Sequence, residues 1–347
     1  MKTTNTLKFI ALLAYCLLFV GCEKDVSDEQ LRVSPEIIEI GCEGGIVQVD
    51  IGSTSGWKVM VPGNCTWVKS DRYEGGGGHR QWIKLTISKN NTKSTRKATI
   101  TISNRGQSQD IMIRQDAPPY IETDEDINLK MIFVRGGTFA VGSTSGESDE
   151  KPVHNVTLDS YYIGETEITQ AQWRAVMGSN PSYFTGDNRP VECVSWDDAQ
   201  AFCEKLSELT GKKYVLPTEA QWEYAARGGN KSKGYTYSGS NTIGDVAVYY
   251  YNYSGSGHSN VKSKKPNELG IYDMSGNVSE WCSDWYGSYG SSAQTNPQGP
   301  SSGSHRVLRG GSWGGHSGYC RVADRFSINP SNRYIYYGFR VVCLPVD

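Results

Sequence analysis

The sequence predicts two folded domains, a small all-β sandwich followed by an irregular α+β domain. Three observations predict it. Apolar residues alternate with period two through residues 31–117, with no helical pattern between them. Helix-spaced apolar residues behind Ser or Thr caps begin only after residue 168. The remainder is rich in Gly, Tyr, Ser and Asn, residues of turns and short strands. At 347 residues the chain has room for two or three domains. Its net charge of −2 and lack of a basic stripe exclude a nucleic-acid partner, whose phosphates require clustered Lys and Arg.

The N-terminus carries a targeting pattern. Met1-Lys2 is followed by an apolar run from Phe9 to Val20, too short for a membrane span, and then by Gly21-Cys22. A small residue before Cys resembles a lipobox, so residues 1–21 are expected as a signal peptide and Cys22 as a lipidated anchor to the membrane. Residues 22–30 read as a tether. The acidic flank from Glu23 resembles that of Bacteroidetes lipoproteins displayed on the outer membrane, which sets the expected location at the cell surface.

Within 31–117, Ile46–Ile51, Ile83–Ile87, Ala98–Ile102 and Ile111–Ile113 alternate, and Gly44-Gly45, Ser55-Gly56 and Gly75–Gly78 punctuate them. Pro118-Pro119 and the acidic run to Asp126 read as a linker over 118–130. The second domain, 131–347, opens with Met131–Phe139. Thr169 caps one helix, Ser195 caps another that Gly211 stops, and Thr218 opens a third through Tyr224.

Five motifs in order resemble the formylglycine-generating enzyme, or sulfatase-modifying factor, family: Met131–Phe139, Leu216–Tyr224, Gly270–Trp281, Arg309-Gly310-Gly311-Ser312-Trp313 and Gly338-Phe339-Arg340. The resemblance implies an α+β fold related to C-type lectins. The first module, with Gly44-Gly45, Trp57, Trp67 and Ile113–Ala117, is similar to the BACON domain, which implies an immunoglobulin-like sandwich serving as a carbohydrate module or a plain spacer.

Family enzymes oxidise a sulfatase cysteine with two thiolates that hold copper, soft sulfur being the ligand Cu(I) prefers. By resemblance Cys320 occupies the second position, but Gly315 stands in the first, so the pair is broken. No other catalytic or metal motif is present. The resemblance further implies a structural calcium held by Asp273, Gly276, Val278 and Glu280, oxygen donors suited to a hard cation. A second family calcium site needs an Asn where Val248 stands. One family disulfide joins positions matching Ala226 and Arg325, both lost here. Another implies a Cys203–Cys343 bridge, Cys343 lying two residues beyond the matching Val341 on the same strand face.

Between Trp313 and Tyr337 the aromatics and His are unusually dense: Trp313, His316, Tyr319, Phe326, Ile328, Tyr334, Tyr336 and Tyr337. Such residues make paratopes, because a rigid amphipathic ring gives contact area at low entropy cost. The arrangement resembles the variable region of lectin-fold binders diversified by retroelements. The expected function is therefore a surface lipoprotein binding a glycan or protein ligand without catalysis. Two rivals stand beside it: a formylglycine-generating oxidoreductase, and a structural subunit of an envelope complex.

Overall fold

The computed structural model describes residues 30–344 apart from 79, 93, 124, 125, 254 and 256. The expected signal peptide and Cys22 lie outside the described residues.

The first domain holds β1 (Leu31–Ser34), β2 (Ile37–Ile40), β3 (Gly45–Ser53), β4 (Trp57–Met60), β5 (Val68–Ser70), β6 (Glu74–Gly75), β7 (Arg80–Ile87), β8 (Arg96–Ser103) and β9 (Ser108–Gln115). They form two sheets, β1-β3-β7-β5 and β2-β9-β8-β4-β6. The period-two pattern sets their faces. Val49 and Ile51, Ile83 and Leu85, Ile100 and Ile102, Ile111 and Ile113 are all sealed between the sheets. Trp57 joins this core.

The second domain begins earlier than the sequence suggests. Within the expected linker, β10 (Tyr120–Glu122) pairs antiparallel with β11 (Lys130–Val134). Ile121 packs on the core of the second domain, so burial of one apolar side chain turns the segment into a strand. Arg135 reaches back to the sandwich, with Nη2 2.6 Å from Glu39 Oε1.

There follow β12 (Gly137–Val141), β13 (His154–Leu158), β14 (Tyr161–Gly164), α1 (Gln170–Met177), α2 (Trp196–Thr210), β15 (Tyr214–Val215), α3 (Glu219–Ala226), β16 (Ser279–Trp285), β17 (Gln294–Thr295), β18 (Arg306–Arg309), β19 (Phe326–Ile328), β20 (Tyr337–Gly338) and β21 (Val342–Cys343). The central sheet runs β10-β11-β14-β21-β15, with β12-β13-β17 and β19-β18-β16-β20 beside it. Both faces of the central sheet are buried. Tyr162 and Cys343 point into a cluster with Trp173 of α1 and Phe202 of α2. Tyr161, Ile163 and Val342 point into another with Trp222 and Ala225 of α3.

Each of these helices starts where its cap residue stands. Thr169 Oγ1 accepts the Gln172 amide at 3.2 Å, Ser195 Oγ that of Asp198 at 3.1 Å and Thr218 Oγ1 that of Gln221 at 3.1 Å. In every case the third helical residue reaches back, completing a capping box. Gly211, at φ +64°, ends α2 in the left-handed region that glycine tolerates best. Helix α3 runs two residues past the expected Tyr224.

Candidate functional site

A groove of about 400 Å³ lies where β18 and β19 meet the loop that follows β18. Its floor is backbone: Gly310, Gly311, Ser312, Gly314 and Gly315 line it. Glycine is required at Gly311, with φ +68°, where a Cβ would sit 2.6 Å from the Tyr319 carbonyl. Aromatic side chains make the walls: Tyr319 and Phe326 are half exposed, and Tyr336 and Tyr337 are half buried.

The floor is anchored from below. The Trp313 amide donates to Asn277 O at 2.8 Å, the Gly276 amide donates to Gly310 O at 2.8 Å, and Ser275 Oγ donates to Cys320 O at 2.8 Å. Arg309, fully buried, bonds Glu223 of α3 and donates to the carbonyls of Ala323, at 2.9 Å, and Val322, at 3.1 Å. A buried charge needs such a partner, and Glu223 supplies it. The glycine loop is thus held by α3 on one side and the 275–277 turn on the other.

The expected binding residues separate into two groups. Tyr319, Phe326, Tyr336 and Tyr337 line the groove. His316 is exposed beside it, and Tyr334 is exposed with its ring edge-on to Tyr337 at 5.4 Å. Trp313 is a correction: it is buried, with Nε1 donating to Ile335 O at 3.1 Å and rings of Phe184, Tyr253 and Tyr336 around it. It supports the wall from behind. Ile328 is likewise half buried against the core. The sequence reading missed a neighbouring patch. Tyr250 and Tyr251 are exposed and their rings lie 4.8 and 5.7 Å from His316, while the Tyr250 amide donates to Gly315 O at 3.0 Å. The run Tyr249-Tyr250-Tyr251 was the available signal.

Cys320 is fully buried beneath the groove, Sγ 3.8 Å from His316 O, and burial pushes its thiol up to about 12. In the metal-free protein it is a thiol at neutral pH. Gly315 supplies no second donor. The residues therefore do not fit the family's copper centre.

Of the implied calcium set, Glu280 and one Asp273 oxygen are already engaged by protein donors. Both Glu280 oxygens are taken, by Arg340 Nε at 2.6 Å and Nη2 at 2.7 Å and by Trp222 Nε1 at 2.8 Å. Asp273 Oδ2 accepts the Lys262 amide at 2.7 Å. Glu167 accepts Asn277 Nδ2 at 2.7 Å and the Val278 amide at 3.0 Å. Burial, with neighbouring carboxylates, pushes Glu167 well up and Asp273 up to about 6. Arg340 already pairs with Glu280 inside this acidic cluster. Gly276 and Val278 act through backbone contacts to the groove floor and to Glu167. The Cys203–Cys343 bridge is not formed either. Cys203 is an unbridged thiol, although it shares a core cluster with Cys343, whose sulfur lies 3.7 Å from the Leu344 carbonyl.

The irregular α+β domain, with its buried Arg309 and glycine-floored groove, defines the class of fold. The chain belongs to the sulfatase-modifying factor enzyme 1-like domain family, whose model matches residues 118–344. A second model, the BACON putative binding domain, matches residues 56–116. Among solved structures, Treponema denticola variable protein 1 is 37% identical with a TM-score of 0.62, covering 66% of this chain and all of that one. The chaperone protein LppX of Paenibacillus barcinonensis is 38% identical, covering 53% of this chain and 78% of its own. The formylglycine-generating enzyme of Streptomyces coelicolor is 33% identical, covering 59% and 86%.

Proposed function

We propose that this protein is a lipid-anchored, outer-membrane binding protein that holds a glycan or protein ligand in the groove without covalent chemistry. One observation carries the reading. The position that would complete the thiol pair is Gly315, and the remaining Cys320 is sealed beneath a groove lined by glycine backbone and aromatic rings, with Asp324 and Leu308 beside them. Exposed Tyr and Phe rings, with the Tyr hydroxyl among them, suit stacking and hydrogen bonding. The likeness to a variable protein supports the same assignment, as does the dense Tyr and His around the groove.

The test pairs two assays on the purified chain. A glycan array and a cell-surface binding assay compare the natural protein with the Tyr319→Ser, Phe326→Ser double variant, and the expected result is binding lost at least tenfold in the variant. In the second assay, a sulfatase-derived Cys-x-Pro-x-Arg peptide is incubated with the protein, copper and oxygen. An aldehyde product would overturn the reading in favour of the oxidase.

A further inference from the structure

A second cavity, of about 440 Å³, shares no lining residue with the groove. It lies between β13, the start of α3 and the two loops that follow β16 and β17. Val141, Val156, Pro297 and Pro300 give it apolar walls, and Tyr289 adds a ring. Asp284 lies at its buried side. One oxygen, Oδ2, accepts the Glu219 amide at 2.9 Å and Ser283 Oγ at 3.0 Å. The other, Oδ1, has no hydrogen-bond partner among the described residues. It lies beside Gly299, where a Cβ would come within 3.0 Å of it, so only glycine leaves it room.

No cation is bonded to Asp284 among the described residues. Glu219 is neutralised by Arg325, through bonds of 2.6 and 2.8 Å. Arg306 is held between the rings of Trp196 and Trp285 and donates to the Ser283 carbonyl, without bonding Asp284. Arg309 pairs with Glu223, and His154, Tyr289 and Cys282 are the other titratable groups at hand; none bonds Asp284.

We infer that this cavity binds a primary alkylammonium group, a free amine or a lysine-like side chain, with its stem along the apolar walls and its charge on Asp284 Oδ1. An ammonium gives Asp284 Oδ1 the bonded cation it lacks, and a short carbon stem can lie along Val141, Val156 and the rings of Pro297 and Pro300. Burial and the Glu219 carboxylate push Asp284 up to about 7 in the free protein. Binding a cation therefore expels a proton below that pH, and affinity rises about tenfold per pH unit up to about 7, then levels.

Isothermal titration with n-pentylammonium tests this, with n-pentanol as the neutral isostere and acetyl-Gly-Lys-Gly-amide as the polypeptide arm. The expected result is saturable binding of the ammonium, at least tenfold weaker binding of pentanol, and at least a tenfold loss in Asp284→Asn. That variant keeps the acceptor for the Glu219 amide and so keeps the fold, which circular dichroism checks. Binding by the peptide assigns the site to a protein-borne lysine, and binding by the amine alone assigns it to a small molecule. No saturable ammonium binding, equal binding of pentanol, or unchanged affinity in Asp284→Asn would each overturn the inference, leaving the groove untouched.

Discussion

Arg325 grips the Glu219 carboxylate with two arms, Nε to Oε1 at 2.6 Å and Nη2 to Oε2 at 2.8 Å, across 106 residues of sequence. Its remaining donors reach the carbonyls of Asp149, at 2.9 Å, and Gly287, at 3.1 Å, and its plane lies 3.8 Å from the Tyr289 ring. The family's disulfide between positions 226 and 325 is missing, yet residue 325 is still tied to α3, through charge rather than sulfur. The Arg325 guanidinium holds Glu219 below the usual carboxylate range despite burial.

Removing one partner of such a pair strands the other. Arg325→Met is expected to cost about 3–5 kcal/mol, and the double variant with Glu219→Met to recover part of that loss. Urea unfolding of the two single variants and the double variant measures the coupling; independent, additive losses would show that the pair is not acting as a unit.

Asp324 gives a pH dependence of definite sign. Burial pushes it up to about 7, against an ordinary value of 3.8. Its folded-state pKa is raised, so its contribution is fully present below about 4 and is lost as pH rises through about 7. Asp324→Asn should flatten the stability profile between pH 4 and 7 and raise stability at pH 8 by an amount of order a few kcal/mol, at roughly 1.4 kcal/mol per unit. Thermal melts across that window check it. The sign rests on Asp324 alone, so the difference between variant and natural protein is the quantity to read.

Gly315→Cys rebuilds the missing thiol. A Cβ at 315 would meet nothing nearer than 3.3 Å, the Ser312 carbonyl, and the backbone there is outside the left-handed region. The variant is expected to fold, with a stability change within about 1 kcal/mol. It is expected to bind one Cu(I) where the natural protein, assayed in parallel, binds none, read by competition with a chromogenic chelator.

Wall and support residues should behave oppositely. Tyr319→Ser and Phe326→Ser remove exposed rings and should change stability by about 0.5 kcal/mol or less. Trp313→Ala opens a buried space and should cost about 3–5 kcal/mol. Chemical denaturation of the three variants makes the comparison.

Chelation is expected to be silent. With Glu280 committed to Arg340, adding EDTA or millimolar calcium should shift the melting temperature by no more than about 1 °C, since a ligand stabilises only what it binds. A rise of several degrees with calcium would show that the acidic site admits a cation.

Much of this was legible in the sequence, because the relevant rules are local. Thr169, Ser195 and Thr218 announce their helices within three residues, and the alternation from Ile83 to Ile87 names its buried face. What escaped was long-range. Glu280 reads as an oxygen ligand until Arg340, 60 residues later, closes on it. Trp313 reads as a contact residue until the Ile335 carbonyl takes its indole N–H. Ile121 reads as linker until β11 offers it an edge. The Tyr250–Tyr251 patch was hidden in a segment without periodic pattern, and only its apposition to His316 gives it meaning.

The groove floor is made of main chain, and its outermost wall rings, Tyr319 and Phe326, belong to no core cluster. Recognition and foldability are therefore written in separate residues. A lineage carrying this scaffold can trade one wall side chain for another, and so change what it captures, while the load of holding the loop in place stays with Arg309, Trp313 and the turn beneath them.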